Sequence, residues 1–85
     1  MDANTIKARI CARVAELADL SPDEIGAETT LENVGLDSSD AVILALDVEE
    51  LTGKEIDVGI FLRFSTLGEA LEEVVRSLKG TAPAQ

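Results

Sequence analysis

Residues 35–53 read GLDSSDAVILALDVEELTG, and the periodicity of this stretch decides the fold. Ala41, Leu44, Ala45, Val48 and Leu51 recur three or four positions apart, as residues on one face of an α-helix do. Val42 and Leu46 flank that stripe, and Asp40, Ile43, Asp47 and Glu50 fall on the opposite face. Asp37 is placed to accept a backbone N–H of the first turn. Asp40, three residues later, is placed to reach back to it, which makes a capping box. Gly53 is the residue type that enters the left-handed conformation at a helix end. The spacing therefore predicts a helix from Asp37 or Ser38 to about Thr52. It leaves two oddities: a pair of hydroxyls, Ser38 and Ser39, at the helix start, and an aliphatic Ile43 among carboxylates.

The flanking segments are helical as well. Ile6, Ile10, Val14 and Leu17 keep helical spacing, so residues 4–18 read as an amphipathic helix capped by Asn4 or Asp2. Cys11 lies on the edge of that stripe and reads as a small, partly buried filler rather than a reactive thiol. Ser21-Pro22 marks the start of a short turn, soon ended by Gly26. Residues 26–36, with Gly26, Gly35 and the Thr29-Thr30 pair, read as a long loop pinned to the core by Leu31, Val34 and Leu36. Residues 57–64, DVGIFLRF, fit a strand or a helix by pattern alone, and a short helix suits the rest of the chain better. Thr66 and Glu69 form a second capping box before Leu67, Ala70, Leu71, Val74, Val75 and Leu78, the clearest helical stripe in the chain. Lys79-Gly80 closes it, and residues 80–85 read as a frayed tail. The expected fold is all-α: a small four-helix bundle of three long helices and one short, with a long loop between helices one and two. It occupies residues 1–79 as one domain.

Composition narrows the function. The 85-residue chain is 46% apolar, and Phe61 and Phe64 are its only aromatic residues. Cys11 is the only cysteine, so no internal disulfide forms. There is no histidine, which removes Ser-His and Cys-His catalysis and the commonest transition-metal ligand. Neither a G-x-S-x-G elbow nor an acidic calcium loop appears, so neither a catalytic residue nor a metal site is expected. No secretory leader pattern or membrane-length apolar run is seen, and a cytoplasmic, monomeric domain is expected. The net charge is −10, and from Val14 through Gly53 there are eleven carboxylates and no Lys or Arg. Such a surface repels nucleic acid and attracts basic protein partners. Its other reading is a solvated acidic surface that only aids solubility.

Gly35-Leu36-Asp37-Ser38 resembles the G-x-D-S attachment motif of the acyl carrier and peptidyl carrier proteins. Thr30-Leu31-Glu32-Asn33-Val34 resembles the loop that leads into that motif. Val48-Glu49-Glu50-Leu51-Thr52-Gly53-Lys54-Glu55-Ile56 resembles the acidic end of that family's second helix, and the likeness spans roughly residues 4–78. The resemblance implies a non-catalytic carrier. Ser38 would receive a covalent 4'-phosphopantetheine arm from a phosphopantetheinyl transferase, and Asp37 would help hold the transferase's Mg²⁺. The arm's thiol would carry an acyl or aminoacyl group as a thioester. Acyl-loading, synthase or acyltransferase enzymes with basic docking patches would meet Ser39, Asp40, Ile43, Leu46, Asp47 and Glu50.

Ser39 competes with Ser38 as the attachment point, but an arm there would stand two residues from the aspartate. Family members carry Leu where this chain has Ser39, which implies a specialised carrier from a fatty-acid, polyketide or related pathway. Ile43, one turn on, then either supplies a displaced apolar anchor or packs beneath the long loop. Val42, Leu46 and Leu62 either line an entrance for a fatty acyl chain or belong to an ordinary core. An aminoacyl or short acyl cargo would stay outside. The alternative function is an unmodified carrier-like bundle acting as an interaction or regulatory subunit.

Overall fold

The structure, a computed structural model, describes residues 2–80. Four helices follow one another: α1 (Ala3–Ala18), α2 (Ser38–Thr52), α3 (Ile60–Arg63) and α4 (Leu67–Gly80). The described residues contain no strand, and 57–64 holds the single-turn α3, as the helical alternative required. Helix α4 includes Gly80, so the helix runs one residue past the expected domain limit. The rest of the expected tail, residues 81–85, lies outside the described residues.

Each helix packs the stripe its spacing set out. Ile6, Ile10 and Val14 of α1 meet Ala41, Leu44, Ala45 and Val48 of α2, Ile60 and Phe61 of α3, and Leu67, Ala70, Leu71 and Val74 of α4 in one core. Ile10, Val14, Leu44, Val48, Ile60 and Val74 are fully enclosed. Cys11 is half-buried, and that burial pushes its thiol pKa up, which suits an inert filler. Among the described residues no helix is long and apolar enough to cross a membrane.

The caps fall where the side chains allow them. Asp2, not Asn4, caps α1, accepting the Thr5 N–H at 2.8 Å. The loop after α1 is more ordered than its composition suggested. It makes a 3-10 turn over Pro22–Glu24, then a second over Glu32–Val34 that ends on Gly35 at φ 78°. Thr29 and Thr30 build this path: Thr29 Oγ1 accepts the Gly26 N–H at 2.8 Å, and Thr30 Oγ1 accepts the Asn33 N–H at 3.0 Å. Leu36 and Ile25 are buried beneath the loop, and Leu31 and Val34 are half-buried.

The loop is also tied to the far end of the bundle. The Leu67 N–H donates to the Thr29 carbonyl at 2.7 Å, and the Gly68 N–H donates to the Ala27 carbonyl at 2.8 Å. With Thr66 Oγ1 accepting from the Glu69 N–H at 3.2 Å, these contacts satisfy first-turn donors that a helix start otherwise leaves without partners. The loop carrying the G-x-D-S segment is thereby fixed between α4 and α2.

Candidate functional site

The N-terminus of α2 is built as the sequence indicates. Asp37 is its cap, and Asp37 Oδ1 accepts the N–H groups of Ser39 at 3.0 Å and Asp40 at 3.2 Å. Asp40 Oδ2 accepts the Asp37 N–H at 3.1 Å, which completes the box. Asp37, Ser38 and Ser39 are all exposed. The hydroxyl of Ser38 thus stands on a rigid first turn, directly after a carboxylate whose Oδ1 is occupied by two amides. An anionic group on Ser38 would find the positive end of the helix, but two of the first-turn amides are already held by Asp37.

Ser38 is one of the residues that line an open groove of about 500 Å³. One wall is the loop from Thr30 to Glu32, and the other is Phe61, Leu62 and Phe64 with the start of α4. Thr30, Ser65 and Thr66 line it together with apolar residues such as Leu31, Leu36 and Leu67, a mixed lining suited to a ligand of amides and methyl groups, and Glu32 and Asp37 add two carboxylates. An arm joined to Ser38 Oγ therefore fits the residues present. Among the described residues no cluster of acidic or cysteine side chains could hold a metal ion.

The expected partner-facing residues separate into two rows. Ile43, Leu46 and Glu50 stand four, seven and eleven residues beyond Ser39 along one line of α2. Of these, Ser39, Leu46 and Glu50 are exposed, while Ile43 is half-buried. The prominent aliphatic on this face is Leu46, at 49% exposure. Asp40 and Asp47 form the second row, and neither carboxylate is unattached. Asp40 serves the capping box, and Asp47 Oδ2 accepts from Arg13 Nε of α1 at 2.8 Å. Glu49, read only as part of the acidic helix end, accepts the Ile56 N–H at 3.1 Å and holds the segment after α2.

Neither reading of Val42, Leu46 and Leu62 holds: Leu46 and Leu62 are 49% and 54% exposed and Val42 is half-buried, so together they form neither an ordinary core nor an interior lining for an acyl chain. With Val58, at 47%, Leu46 and Leu62 are the exposed large apolar residues among the described residues. They lie on or beside two helices, α2 and α3, that pack together.

These exposures set a stability contrast. Leu46→Glu is expected to change unfolding free energy by less than about 0.5 kcal/mol, as exposed substitutions do. Ile43→Glu should cost about 1–2 kcal/mol, because it carries a charge into a half-covered position. Urea denaturation of the two variants checks this. Equal losses would mean that the two side chains share one environment.

The model of the family described as phosphopantetheine attachment site matches residues 8–74. Among solved structures, the chain is similar to a free-standing peptidyl carrier protein from an uncharacterized Acinetobacter baumannii secondary metabolic pathway. The two share 27% identity and a TM-score of 0.77 over 91% of this chain and 96% of that chain. No curated protein sequence matches this chain.

Proposed function

Since the chain belongs to the phosphopantetheine attachment-site family of carrier proteins, in which that group is bound covalently, we propose that it is a free-standing carrier with Ser38 as its attachment residue. The observation that carries this assignment is the exposed Ser38 on the first turn of α2, directly after Asp37 and lining the groove. When bound, the group supplies a thiol that holds acyl or aminoacyl intermediates as thioesters.

The protein's own residues position and present. Ser38 Oγ is the nucleophile toward the transferase's phosphate donor. Asp37 Oδ1 fixes the turn, and the Asp37 carboxylate, whose Oδ2 is not used in the cap, would help hold the transferase's Mg²⁺. The polar and apolar groove walls orient whatever is tethered and shield part of it from water. The row Ser39–Leu46–Glu50, with Leu62 and Val58 beside it, is the docking face for loading and transfer enzymes that carry basic patches.

Carrier proteins of this family are generally non-catalytic, and this chain acts by presentation alone. An aminoacyl or short acyl cargo suits it better than a long chain. Leu46 and Leu62 are exposed rather than enclosed in an apolar interior, and the similar carrier is a peptidyl one. We place it in a specialised pathway, as a cytoplasmic monomer.

Incubation with CoA and a broad-specificity phosphopantetheinyl transferase is the test. One phosphopantetheine per chain is expected by intact mass, with peptide mapping to the 35–40 segment. A chain that stays unmodified with a transferase active on other carriers would contradict the assignment.

A further inference from the structure

Helix α2 carries acidic side chains toward its partners, yet one of them is already answered from within the molecule. Arg13, on α1, donates through Nε to Asp47 Oδ2 at 2.8 Å, and its other arm pairs with Glu16. The planar guanidinium forks between carboxylates of two helices, a geometry that an ammonium does not reproduce. Arg13 is the last cation before the cation-free stretch that begins at Val14, so it is the positive group that interrupts the acidic surface at this point. The Asp47 side chain is 26% exposed, against 69% for Glu16, so it is the more sheltered of the two acids Arg13 holds. Arg9, Arg13, Asp47 and Glu50 line one shallow groove of about 200 Å³ along the α1–α2 seam. Arg9 has no carboxylate partner among the described residues, which makes it a neighbouring control of the same charge.

We infer that Arg13 is a specificity-determining residue: it acts as an internal counter-ion that withholds Asp47 from a partner's cations and leaves Glu50 as the acid offered on that flank. This rests on the reading of α2 as the docking face. A partner cation that approaches Asp47 meets the Arg13 charge at contact distance and must displace a formed hydrogen bond. One that approaches Glu50, one turn further along α2 on the same groove, has no formed hydrogen bond to displace. Partners are thereby selected for basic patches that bypass Asp47. The pair is partly exposed, so its influence is moderate and falls with salt.

The test uses the whole chain, CoA and the same transferase, with loading efficiency measured as kcat/KM. Arg13→Met is expected to raise kcat/KM about two- to fivefold at low salt, the range that exposed ion pairs support. The gain should disappear at about 0.5 M salt, where screening is short-ranged. It should also vanish in the Arg13→Met/Asp47→Asn double variant, which has the wild-type net charge. Glu50→Gln alone should slow loading, and Asp47→Asn alone should not.

Arg9→Met removes the same charge without freeing Asp47 and should gain less. Equal gains from Arg9→Met and Arg13→Met would overturn the proposal by reducing it to net charge. So would a loss from Asp47→Asn as large as that from Glu50→Gln. If the wild-type chain is not loaded at all, the carrier reading fails on its own. A lysine-rich peptide titrated into wild type, Arg9→Met and Arg13→Met then decides the proposal: tighter binding by Arg13→Met than by Arg9→Met sustains it, and equal binding by the two variants overturns it.

Discussion

Ser38→Ala is expected to abolish phosphopantetheine loading while leaving the fold intact. The transfer needs a hydroxyl oxygen as nucleophile, and alanine has none. Ser38 is exposed, so its substitution should change stability by less than about 0.5 kcal/mol, and unfolding cannot account for the loss. Ser39 does not replace it. Successive helical residues project about 100° apart around the axis, so the Ser39 hydroxyl faces a different direction from the groove at Ser38. Ser39→Ala should therefore load like wild type. Asp37 can be tested in the same experiment. Asn is as good an N-cap as Asp, so Asp37→Asn should keep the helix start but remove the charge. Loading should fall while the melting temperature holds. Loading that persists in Ser38→Ala would move the arm to another residue.

The largest structural effect is expected at Gly68. Helix propensity alone says that Gly68→Ala should stabilise the protein by about 1 kcal/mol. The packing says the opposite. A Cβ at position 68 would stand 2.8 Å from the Ala27 carbonyl oxygen and 2.9 Å from Ala27 Cβ. The loop must then retreat, and the Gly68-to-Ala27 hydrogen bond at 2.8 Å is strained or lost. Overpacking of this kind costs about 1–3 kcal/mol. Chemical denaturation should show a net loss, and hydrogen exchange should quicken at the Leu67 and Gly68 amides. A stabilised Gly68→Ala protein would mean that the loop does not approach α4 so closely. Because the same loop forms one wall of the groove at Ser38, the variant should also load less efficiently.

Much of this was legible in the sequence because it is local. The Asp37–Asp40 and Thr66–Glu69 boxes and Gly53 fixed helix ends through contacts within a few residues, and the structure keeps them. The core stripes were legible for the same reason, since helical spacing determines which side chains share a face.

The features that escaped depend on distant partners. Nothing in the run around Asp47 announces Arg13, thirty-four residues earlier. Gly68 reads as an ordinary first-turn glycine until Ala27 is seen against it. Leu46 and Leu62 stand exposed, and a mostly apolar stretch such as 57–64 does not reveal that only Ile60–Arg63 will coil or which of its side chains will be covered. The 3-10 turn over Glu32–Val34 was hidden in a segment whose glycines and threonines suggested only a loop.

Intact-protein mass of the chain purified from its native host tests the central claim most directly. The carrier reading predicts a population heavier than the unmodified chain by one phosphopantetheine, with or without cargo, and a tandem fragment that places the adduct on Ser38. A chain found only at its unmodified mass, in cells whose other carriers are loaded, would contradict it.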